Sequence, residues 1–333
     1  MPQTKIIDDV NQAAQALREG LIVAFPTETV YGLGIDATSD QAARRLFEAK
    51  GRPSDNPLIV HLADVQQWPL AAASMPGSAL ELLQRFAPGP LTVVVPRSPK
   101  ISSLVTANLE TVGVRVPNHP QARQMLELCG RPIAAPSANR SGRPSCTTWQ
   151  AVLEDMDGRI DYILRGDVCE VGLESTVVDC TNDLPVVLRA GRVTLGQIRE
   201  LFPATVFARE LAEQEQLIKA SPGTRHAHYQ PKATIELFES LSELIGIPST
   251  KRAESAMACL SVEAASPEAG RSSFSGFTMH TSFDSLQTYG QQFYEFLREA
   301  DRRGLKCIYL QLVADCEQSH ALRDRLLRAA GRS

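Results

Sequence analysis

The sequence lacks long apolar runs, paired cysteines and an N-terminal secretion signal. None of its apolar stretches is long enough to span a membrane, and residues 1–5 have no apolar core of the kind that signal peptides carry. The seven cysteines are scattered, without the paired spacing of zinc or redox motifs. We therefore expect a cytoplasmic protein with no membrane association, whose cysteines are reduced thiols, mostly in the core.

Several motifs of nucleotide-binding and hydrolytic enzymes are also missing. The P-loop pattern G-x-x-x-x-G-K-[ST] does not occur, and the single G-x-G, at Gly32 to Gly34, lacks the third glycine of a dinucleotide fingerprint. There is no G-x-S-x-G elbow and no H-E-x-x-H zinc motif. His226 and His228 could share one face of a strand as metal ligands, but no cysteine or carboxylate lies nearby. A metal site at this pair is disfavoured but stays open, and we predict no other protein-held metal.

The overall composition is that of an ordinary globular protein. Of the 333 residues, 43% are apolar and 22% are charged, and this length predicts about two domains. The net charge of -4 argues against a large nonspecific nucleic-acid surface, although it allows a local basic groove. Short apolar runs alternate with helical patterns, which predicts an α/β domain with a twisted, mixed sheet over residues 1–208. A turn-rich linker should occupy residues 209–232, and a smaller α/β domain residues 233–333.

A polar loop is predicted directly after the first compact apolar run. Residues 20–25 indicate a buried strand that ends at Pro26, and residues 27–29 then present two hydroxyls and a carboxylate. Loops at the ends of strands are the usual ligand sites of open α/β sheets. Gly32 and Gly34 would let the backbone turn sharply or approach a neighbour closely. This loop is therefore a candidate binding site.

A second group of polar side chains follows the next predicted helix. Gly51 is a suitable helix stop, so Lys50 lies in the last helical turn and Arg52 just beyond it. Proline follows both Arg52 and Asn56, which favours extended backbone at these positions. Together with His61, these side chains could form a cradle for a polyanion. The alternative is a solvated helix end whose basic residues favour the helix C-terminus.

Two arginines lie beside apolar strands in the same predicted domain. Arg115 has valines on both sides, so it should be largely buried, and a buried cation needs an anion. Glu110 is the acidic residue closest in sequence, so either a distant carboxylate or a bound ligand must supply the charge. Arg189 follows another apolar run, and guanidinium groups match the geometry of phosphates and carboxylates.

A loop of hydroxyl, amide and guanidinium groups follows the short strand predicted at residues 133–135. Ser137, Asn139 and Ser145 supply small donors, and the arginines between them supply charge. The alternative is a turn whose side chains bond to their own backbone. A third polar cluster, Glu174 to Thr176, stands at the start of a later strand. The sequence therefore predicts several polar segments that all favour an anionic ligand.

These segments, taken in order, resemble the signatures of the Sua5/YrdC/YciO family. The matching blocks are residues 26–34, 50–61, 111–117, 135–145, 174–179 and 188–191. Residues 221–231 resemble the linker that distinguishes the long Sua5 form from the short YrdC form. The resemblance implies a YrdC-like α/β domain with a twisted mixed sheet and a ligand groove, followed by a smaller, Rossmann-like C-terminal domain.

The resemblance also implies which residues bind each substrate. L-Threonine would contact Thr29, His61, Arg115, Ala135 and Ser175. ATP would contact Arg52, Asn56, Thr111, Ser137, Asn139, Ser145 and Arg189, with Tyr229 of the linker closing over the nucleotide. Lys50 and Arg52 would be the catalytic residues, because they match the Lys-x-Arg motif of the family.

The implied reaction converts L-threonine, bicarbonate (or CO2) and ATP into L-threonylcarbamoyl-adenylate and pyrophosphate, with Mg2+ on the ATP phosphates. A tRNA threonylcarbamoyl transferase would use the product to make N6-threonylcarbamoyladenosine at position 37 of tRNAs that read ANN codons, and a weak direct tRNA contact stays open. Two alternatives remain. One is an RNA-binding module with the basic cradle facing a phosphate backbone. The other is a carbamoyl-adenylate transferase of hydrogenase maturation, which normally has cysteine pairs that this chain lacks.

Overall fold

The chain forms two compact units, and each is described by itself. The computed structural model describes residues 3–211, 229–261 and 275–332. One unit comprises residues 1–141 and 145–226, and the other comprises residues 142–144 and 227–333. Within the described residues, no helix combines the length and the apolar character needed to cross a membrane. The domain limits expected from the sequence stay a prediction.

The first unit is built on a mixed sheet that, in the described part of the chain, has eleven strands. They are β1 Lys5–Ile7, β2 Val23–Phe25, β3 Gly32–Asp36, β4 Ile59–His61, β5 Leu91–Pro96, β6 Thr111–Arg115, β7 Ile133–Ala135, β8 Tyr162–Leu164, β9 Thr176–Asp179, β10 Val186–Arg189 and β11 Val206–Phe207. Their order across the sheet is β1-β8-β2-β3-β7-β4-β6-β5-β9-β10-β11. Parallel and antiparallel pairs both occur, so the predicted mixed sheet is confirmed.

Six α-helices and two 3-10 turns of this unit are described. The helices are α1 Val10–Arg18, α2 Asp40–Lys50, α3 Gly77–Phe86, α4 Pro120–Cys129, α5 Trp149–Met156 and α6 Leu195–Arg199, and the 3-10 turns are Val65–Leu70 and Ala208–Glu210. Helix α2 begins at Ser39, whose hydroxyl accepts from the Ala42 amide, and ends at Gly51 in the left-handed conformation with φ 61°. Gly51 therefore ends this helix, as the sequence predicts.

Side-chain alternation along β6 separates the core of the sheet from its polar face. Val112 and Val114 are buried in the main core, which also includes apolar residues of α2, α3 and α5. Thr111, Gly113 and Arg115 alternate with them and so lie on the opposite face. Helices α1 and α4 cover part of that opposite face through a second core. Arg115 therefore points away from the main core, although it lies in an apolar strand.

Gly32 and Gly34 lie in a strand that the sequence analysis did not anticipate. They belong to β3, which pairs antiparallel with β2. The ring of Phe25 lies directly over them, and a Cβ added at either glycine would lie 3.0 Å from a ring carbon. The two glycines thus allow the Phe25 ring to lie close to the backbone, and they do not form a sharp turn.

The second unit contains a four-stranded sheet in which all described pairs are parallel. Its strands are β12 Thr234–Phe238, β13 Ser255–Leu260, β14 Met279–Phe283 and β15 Cys307–Gln311, in the order β12-β15-β13-β14. Its helices are α7 Ser249–Arg252, α8 Leu286–Arg302 and α9 His320–Ala329, with 3-10 turns at Leu241–Leu244 and Glu317–Ser319. Parallel strands with helical connections confirm the smaller α/β domain expected from the sequence.

The cysteines are free thiols, as expected. Six of the seven are buried, and Cys316 is exposed. Burial raises the pKa of both Cys169 and Cys180 to about 12, so these two thiols are protonated at neutral pH.

Candidate functional site

The first polar loop, residues 26–31, connects β2 to β3 and is held together by its own threonines. The Thr27 hydroxyl donates to the Val30 carbonyl at 2.6 Å and lies 2.9 Å from the Thr29 hydroxyl. Thr27 and Thr29 are both buried. Their hydroxyls are therefore fixed in position instead of moving freely in solvent.

Arg115 is the buried cation that the sequence predicts, and Glu28 of the first loop is its anion. Arg115 Nη2 lies 2.7 Å from Glu28 Oε1 and donates to Thr29 Oγ1 at 2.9 Å. Both charged side chains are 5% exposed, so solvent screens the pair little. The anion that pairs with Arg115 is therefore a carboxylate of this protein that is distant in sequence. Arg115 holds the first polar loop against the end of β6.

His61 ends β4 and lies next to Arg115, because the two parallel strands pair at these residues. The Phe25 ring packs edge-on against the imidazole, with 5.9 Å between ring centroids. Burial, and then the positive charge of Arg115, lower the pKa of His61 to about 3. The imidazole is therefore neutral at physiological pH and offers hydrogen bonds to a ligand without adding charge.

Ser175 directly precedes β9 and contacts both Thr92 of β5 and Arg189 of β10. Its hydroxyl lies 2.8 Å from that of Thr92 on β5. Arg189 donates to the Ser175 carbonyl at 3.1 Å and to the Ser175 hydroxyl at 3.2 Å. The chain after Arg189 passes so close that a Cβ at Gly191 would lie 2.2 Å from the Thr176 amide nitrogen. The structure thus joins a residue predicted to bind threonine to one predicted to bind ATP.

Lys50 is buried at the end of α2 and contacts the second polar loop, residues 136–146. Its Nζ donates to the Ser137 carbonyl at 2.5 Å and also to the Asn139 carbonyl. Burial, and then the charge of Arg52, lower the pKa of Lys50 to about 7. Both contacts need only N–H donors, which a neutral amine also has. Lys50 therefore fixes the shape of this loop, and its predicted catalytic role stays a prediction.

The side chains of the second polar loop form hydrogen bonds with each other and with the third cluster. Ser137 Oγ donates to Asn139 Oδ1 at 2.5 Å. Ser145 is fully buried, and its hydroxyl donates to Glu174 Oε1 at 2.7 Å. The alternative of a turn that bonds only to itself therefore does not hold for Ser145.

Arg52, Asn56 and Thr111 lie at the amino ends of β4 and β6. Arg52 Nη2 lies 3.4 Å from the Asn56 carbonyl and 3.5 Å from the Pro57 carbonyl, so the guanidinium lies over the segment that leads into β4. Thr111 opens β6. Asn56 is buried, whereas Arg52 and Thr111 are half-buried. These three predicted ATP-binding residues therefore form one neighbourhood.

Some of the predicted threonine and ATP residues thus lie at opposite ends of β4 and β6, whereas Arg189 contacts Ser175, and Ser145 contacts its neighbour Glu174. His61 and Arg115 lie at the carboxyl ends of β4 and β6, and Thr111 lies at the amino end of β6. The strand rise puts Thr111 and Arg115 about 13 Å apart. Ala135, a predicted threonine residue, pairs with Ile59 at the start of β4, level with Gly113 in the middle of β6. An elongated nucleotide and an amino acid could therefore share this face.

A cavity of about 390 Å³ lies beyond the carboxyl ends of β4 and β6. Its lining is mostly polar and comes from the segment after β4, the segment after β6 and α4: Ala63, Asp64, Gln67, Asn118, Pro120, Arg123, Gln124 and Glu127. None of the residues that the sequence predicts to bind a substrate lines it. This cavity is therefore separate from the predicted sites.

The second unit contains Tyr229, the predicted linker residue. Tyr229 has a φ of 70° and is 4% exposed, and its ring packs against Tyr294 with 5.2 Å between centroids. The Arg325 guanidinium lies 6.0 Å from the same ring. The predicted contact between Tyr229 and a nucleotide stays a prediction. His226 and His228 lie outside the described residues.

Three further polar residues contact the predicted site residues. The sequence analysis left Glu28 and Glu174 without a role and did not single out Thr92. Glu28 was visible as a carboxylate between two threonines, but its pairing with Arg115 depends on the sheet. Glu174 was part of a polar cluster, and its bond to Ser145 depends on the second polar loop. Thr92 gave no signal, because a threonine in a β-branched strand is ordinary.

The described residues contain no cluster of three or more His, Cys, Asp or Glu side chains that could hold a metal ion. The carboxylates of Glu28 and Glu174 contact Arg115 and Ser145, respectively. The Mg2+ that the resemblance implies on the ATP phosphates stays a prediction.

Family models match most of the chain. The Sua5/YciO/YrdC model, described as "Telomere recombination", matches residues 15–191. The model described as "Threonylcarbamoyl-AMP synthase, C-terminal domain" matches residues 193–331. The two models follow one another in the order expected for the long form.

Relatives with known names and structures match nearly the whole chain. A threonylcarbamoyl-AMP synthase of Bacillus subtilis is 40% identical over 325 residues, which cover 97% of this chain and 93% of the relative. One from Pyrococcus abyssi is 38% identical over 96% of this chain and 93% of its own length. The crystal structure of P. abyssi Sua5 with L-threonine superposes with a TM-score of 0.87 at 35% identity, covering 99% of this chain and 98% of that one. The chain therefore belongs to the Sua5/YrdC/YciO family, in its long, two-domain Sua5 form, as the sequence analysis predicted.

Proposed function

We propose that this chain is a threonylcarbamoyl-AMP synthase, a nucleotidyltransferase that converts L-threonine, bicarbonate or CO2, and ATP into L-threonylcarbamoyl-adenylate and pyrophosphate. Relatives with this name match it over 93% of their length, and one structure of similar fold contains L-threonine. Membership of an enzyme family is shown by these matches. The reaction class and the residue roles are our proposal.

One structural observation supports the proposal: a single sheet face bears a buried arginine with hydroxyl and imidazole neighbours at one end and half-buried polar side chains at the other. We assign the first group to the threonine carboxylate and the second to the ATP phosphates. Arg115, Thr29 and His61 form the first group. Arg52 and Thr111 belong to the second. The reaction needs this pairing, because an amino acid and a triphosphate must meet in one site.

The chemistry requires positioning and charge stabilisation more than a strong base. The ammonium group of threonine first loses a proton to water, and the free amine then combines with CO2 and releases a second proton to give a carbamate, which is an anion. A carbamate oxygen then attacks the α-phosphorus, the bond from that phosphorus to the bridging oxygen breaks, and pyrophosphate leaves with the electron pair. Catalysis then consists of bringing two anions together and stabilising the departing charge.

The residues have distinct roles in this proposal. Arg115 clamps the threonine carboxylate, and neutral His61 and Ser175 bond to the polar groups of the amino acid. Arg52 stabilises the phosphates, whose charge is shared with Mg2+ bound to ATP. Lys50 fixes the second polar loop, so that its Ser137 and Asn139 side chains are presented to the nucleotide.

The product would be consumed by an enzyme that transfers the threonylcarbamoyl group to tRNA, which gives N6-threonylcarbamoyladenosine. A mixed anhydride of this kind hydrolyses in water, so a cover over the site would protect it. We assign Tyr229 to such a cover as part of the proposal.

A pyrophosphate-release assay tests the function. The full chain is incubated with ATP, Mg2+ and bicarbonate, with and without L-threonine. We expect pyrophosphate release that depends on both L-threonine and bicarbonate. Release that is independent of threonine, or that requires carbamoyl phosphate, would contradict the proposal.

A further inference from the structure

Glu28 is a buried carboxylate to which the mechanism above assigns no contact with substrate. The residue is 4% exposed, and its only described ion pair joins Oε1 to Arg115 at 2.7 Å. Neither carboxyl oxygen has a well-aligned hydrogen-bond donor among the described residues. An ionised carboxylate can accept about four hydrogen bonds, and buried acceptors are normally satisfied. Glu28 therefore has unused acceptor capacity inside the protein.

The position of Glu28 places this capacity at the predicted threonine site. Glu28 adjoins Thr29, whose hydroxyl accepts a hydrogen bond from Arg115. Thr29, His61, Arg115, Ala135 and Ser175 are all 4% exposed or less. Glu28 thus shares the enclosed environment of the residues that would contact the amino acid.

The charges of Arg115 and Glu28 match those of a free amino acid. The pair is neutral as a whole, and L-threonine enters as a zwitterion with a carboxylate and an ammonium group. The carboxylate would face Arg115 and the ammonium would face Glu28, so every buried charge would have a partner. A 2-hydroxy acid would bring a carboxylate without an ammonium and leave one negative charge uncompensated, which is costly in a buried site.

We propose that Glu28 is a specificity-determining residue that accepts the α-ammonium group of L-threonine while Arg115 binds its carboxylate. This inference rests on the proposed function and extends it. It predicts that the site selects amino acids against 2-hydroxy acids of the same shape, and that the selection depends on the charge of Glu28.

Calorimetric titration of the full chain tests this inference. The two ligands are L-threonine and the 2,3-dihydroxybutanoate of the same configuration, in which a hydroxyl replaces the amine. In Glu28→Gln the Kd of L-threonine should rise by about 30-fold, the range of a lost charged hydrogen bond. The Kd of the hydroxy acid should stay the same or fall, because Arg115 then lacks its internal anion. The ratio of the two Kd values should therefore collapse.

The result distinguishes recognition of the amine from a merely structural role. If Glu28 only holds Arg115 in place, Glu28→Gln will weaken both ligands by the same factor, and this overturns the inference. The matched control is Glu81→Gln, an exposed glutamate on α3, which should leave both Kd values unchanged. Thermal unfolding of each variant shows whether it is folded under the titration conditions.

The unsubstituted protein provides a test that does not depend on the folding of a variant. It should bind L-threonine at least about 30-fold more tightly than the hydroxy acid. Equal affinity for the two ligands overturns the inference. The proposed function fails by another measurement, the absence of threonine-dependent pyrophosphate release, so the two failures can be told apart.

Discussion

The two ends of β4 and β6 differ in how strongly they exclude water. At the carboxyl ends, Thr29, His61 and Arg115 are almost fully buried, and the charge of Arg115 is matched by Glu28. At the amino ends, Arg52 and Thr111 are half-buried. One sheet face therefore offers an enclosed end and a more exposed end.

This difference suggests a division of tasks between the two ends. Interactions between charges are stronger where water is excluded, and an unpaired polar group costs more there. The enclosed end can therefore discriminate a small amino acid by charge and shape. The more exposed end can hold a charged triphosphate with its metal ion and release pyrophosphate. Substitutions should affect both stability and binding at the enclosed end, but mainly activity at the exposed end.

The largest effect is expected from Arg115→Ala at the enclosed end. The substitution leaves the Glu28 carboxylate buried and unpaired, so the free energy of unfolding should fall by about 3–5 kcal/mol. The KM for L-threonine should rise by more than about 100-fold, because the carboxylate loses its charged partner. Urea unfolding and pyrophosphate-release kinetics measure the two effects.

The matched control for Arg115→Ala is Arg165→Ala. Arg165 pairs with Asp8 at 2.5 Å, but the two side chains are 50% and 65% exposed. Removing this surface pair should change the free energy of unfolding by less than about 1 kcal/mol. Equal destabilisation by the two substitutions would show that the first pair is not in an enclosed environment.

The second effect concerns turnover at the exposed end. Arg52→Ala should lower turnover by about 100-fold, as the loss of one charge-stabilising group does. The free energy of unfolding should change by less than about 0.5 kcal/mol, because Arg52 is half-buried and lies outside the core. Arg44→Ala, at an exposed arginine on α2, the helix that precedes Arg52, should leave both quantities unchanged. Near-normal pyrophosphate release by folded Arg52→Ala would exclude the predicted role.

Much of this arrangement was predictable because local signals agreed with the fold. The helix from Ser39 to Gly51 carries its own start and stop residues, and the structure has both caps. The apolar run around Arg115 predicted a buried cation, and the structure confirms its burial. Family blocks then assigned the same positions to substrates, and the family itself is confirmed.

The partners of these residues could not be predicted, because strand order and register determine them. Glu28 meets Arg115 only after β6 and the first loop are brought together by the sheet. Strand β3 was missed because its two glycines disfavour a strand, and the packed ring of Phe25 outweighs that local preference. The contact of Lys50 with two backbone carbonyls likewise has no sequence signature.

A smaller effect should follow from Ser145→Ala in the second polar loop. The substitution removes the donor that lies 2.7 Å from Glu174 Oε1 and leaves the buried carboxylate with one hydrogen bond fewer. We expect the KM for ATP to rise by about 10-fold, with the KM for L-threonine little changed. Ser141→Ala in the same loop is the control, because Ser141 contacts Lys50 through its backbone amide. A selective rise in the KM for L-threonine would contradict the predicted role of Ser145 in ATP binding.

The last effect is a pH dependence of stability that distinguishes the enclosed end and does not involve substrate binding. His61 has a pKa of about 3 in the folded protein and an ordinary value of 6.5 when unfolded. Between these values the unfolded chain binds the additional proton, so stability should fall as pH decreases below about 6.5, by up to about 1.4 kcal/mol per pH unit. Unfolding temperatures of the unsubstituted protein and His61→Gln, measured from pH 7 to pH 5, should therefore converge as the pH falls. His280→Gln, at an exposed histidine, should follow the unsubstituted protein throughout. If His61→Gln retains the full acid sensitivity, the imidazole is accessible to protons and the carboxyl ends of β4 and β6 are not enclosed.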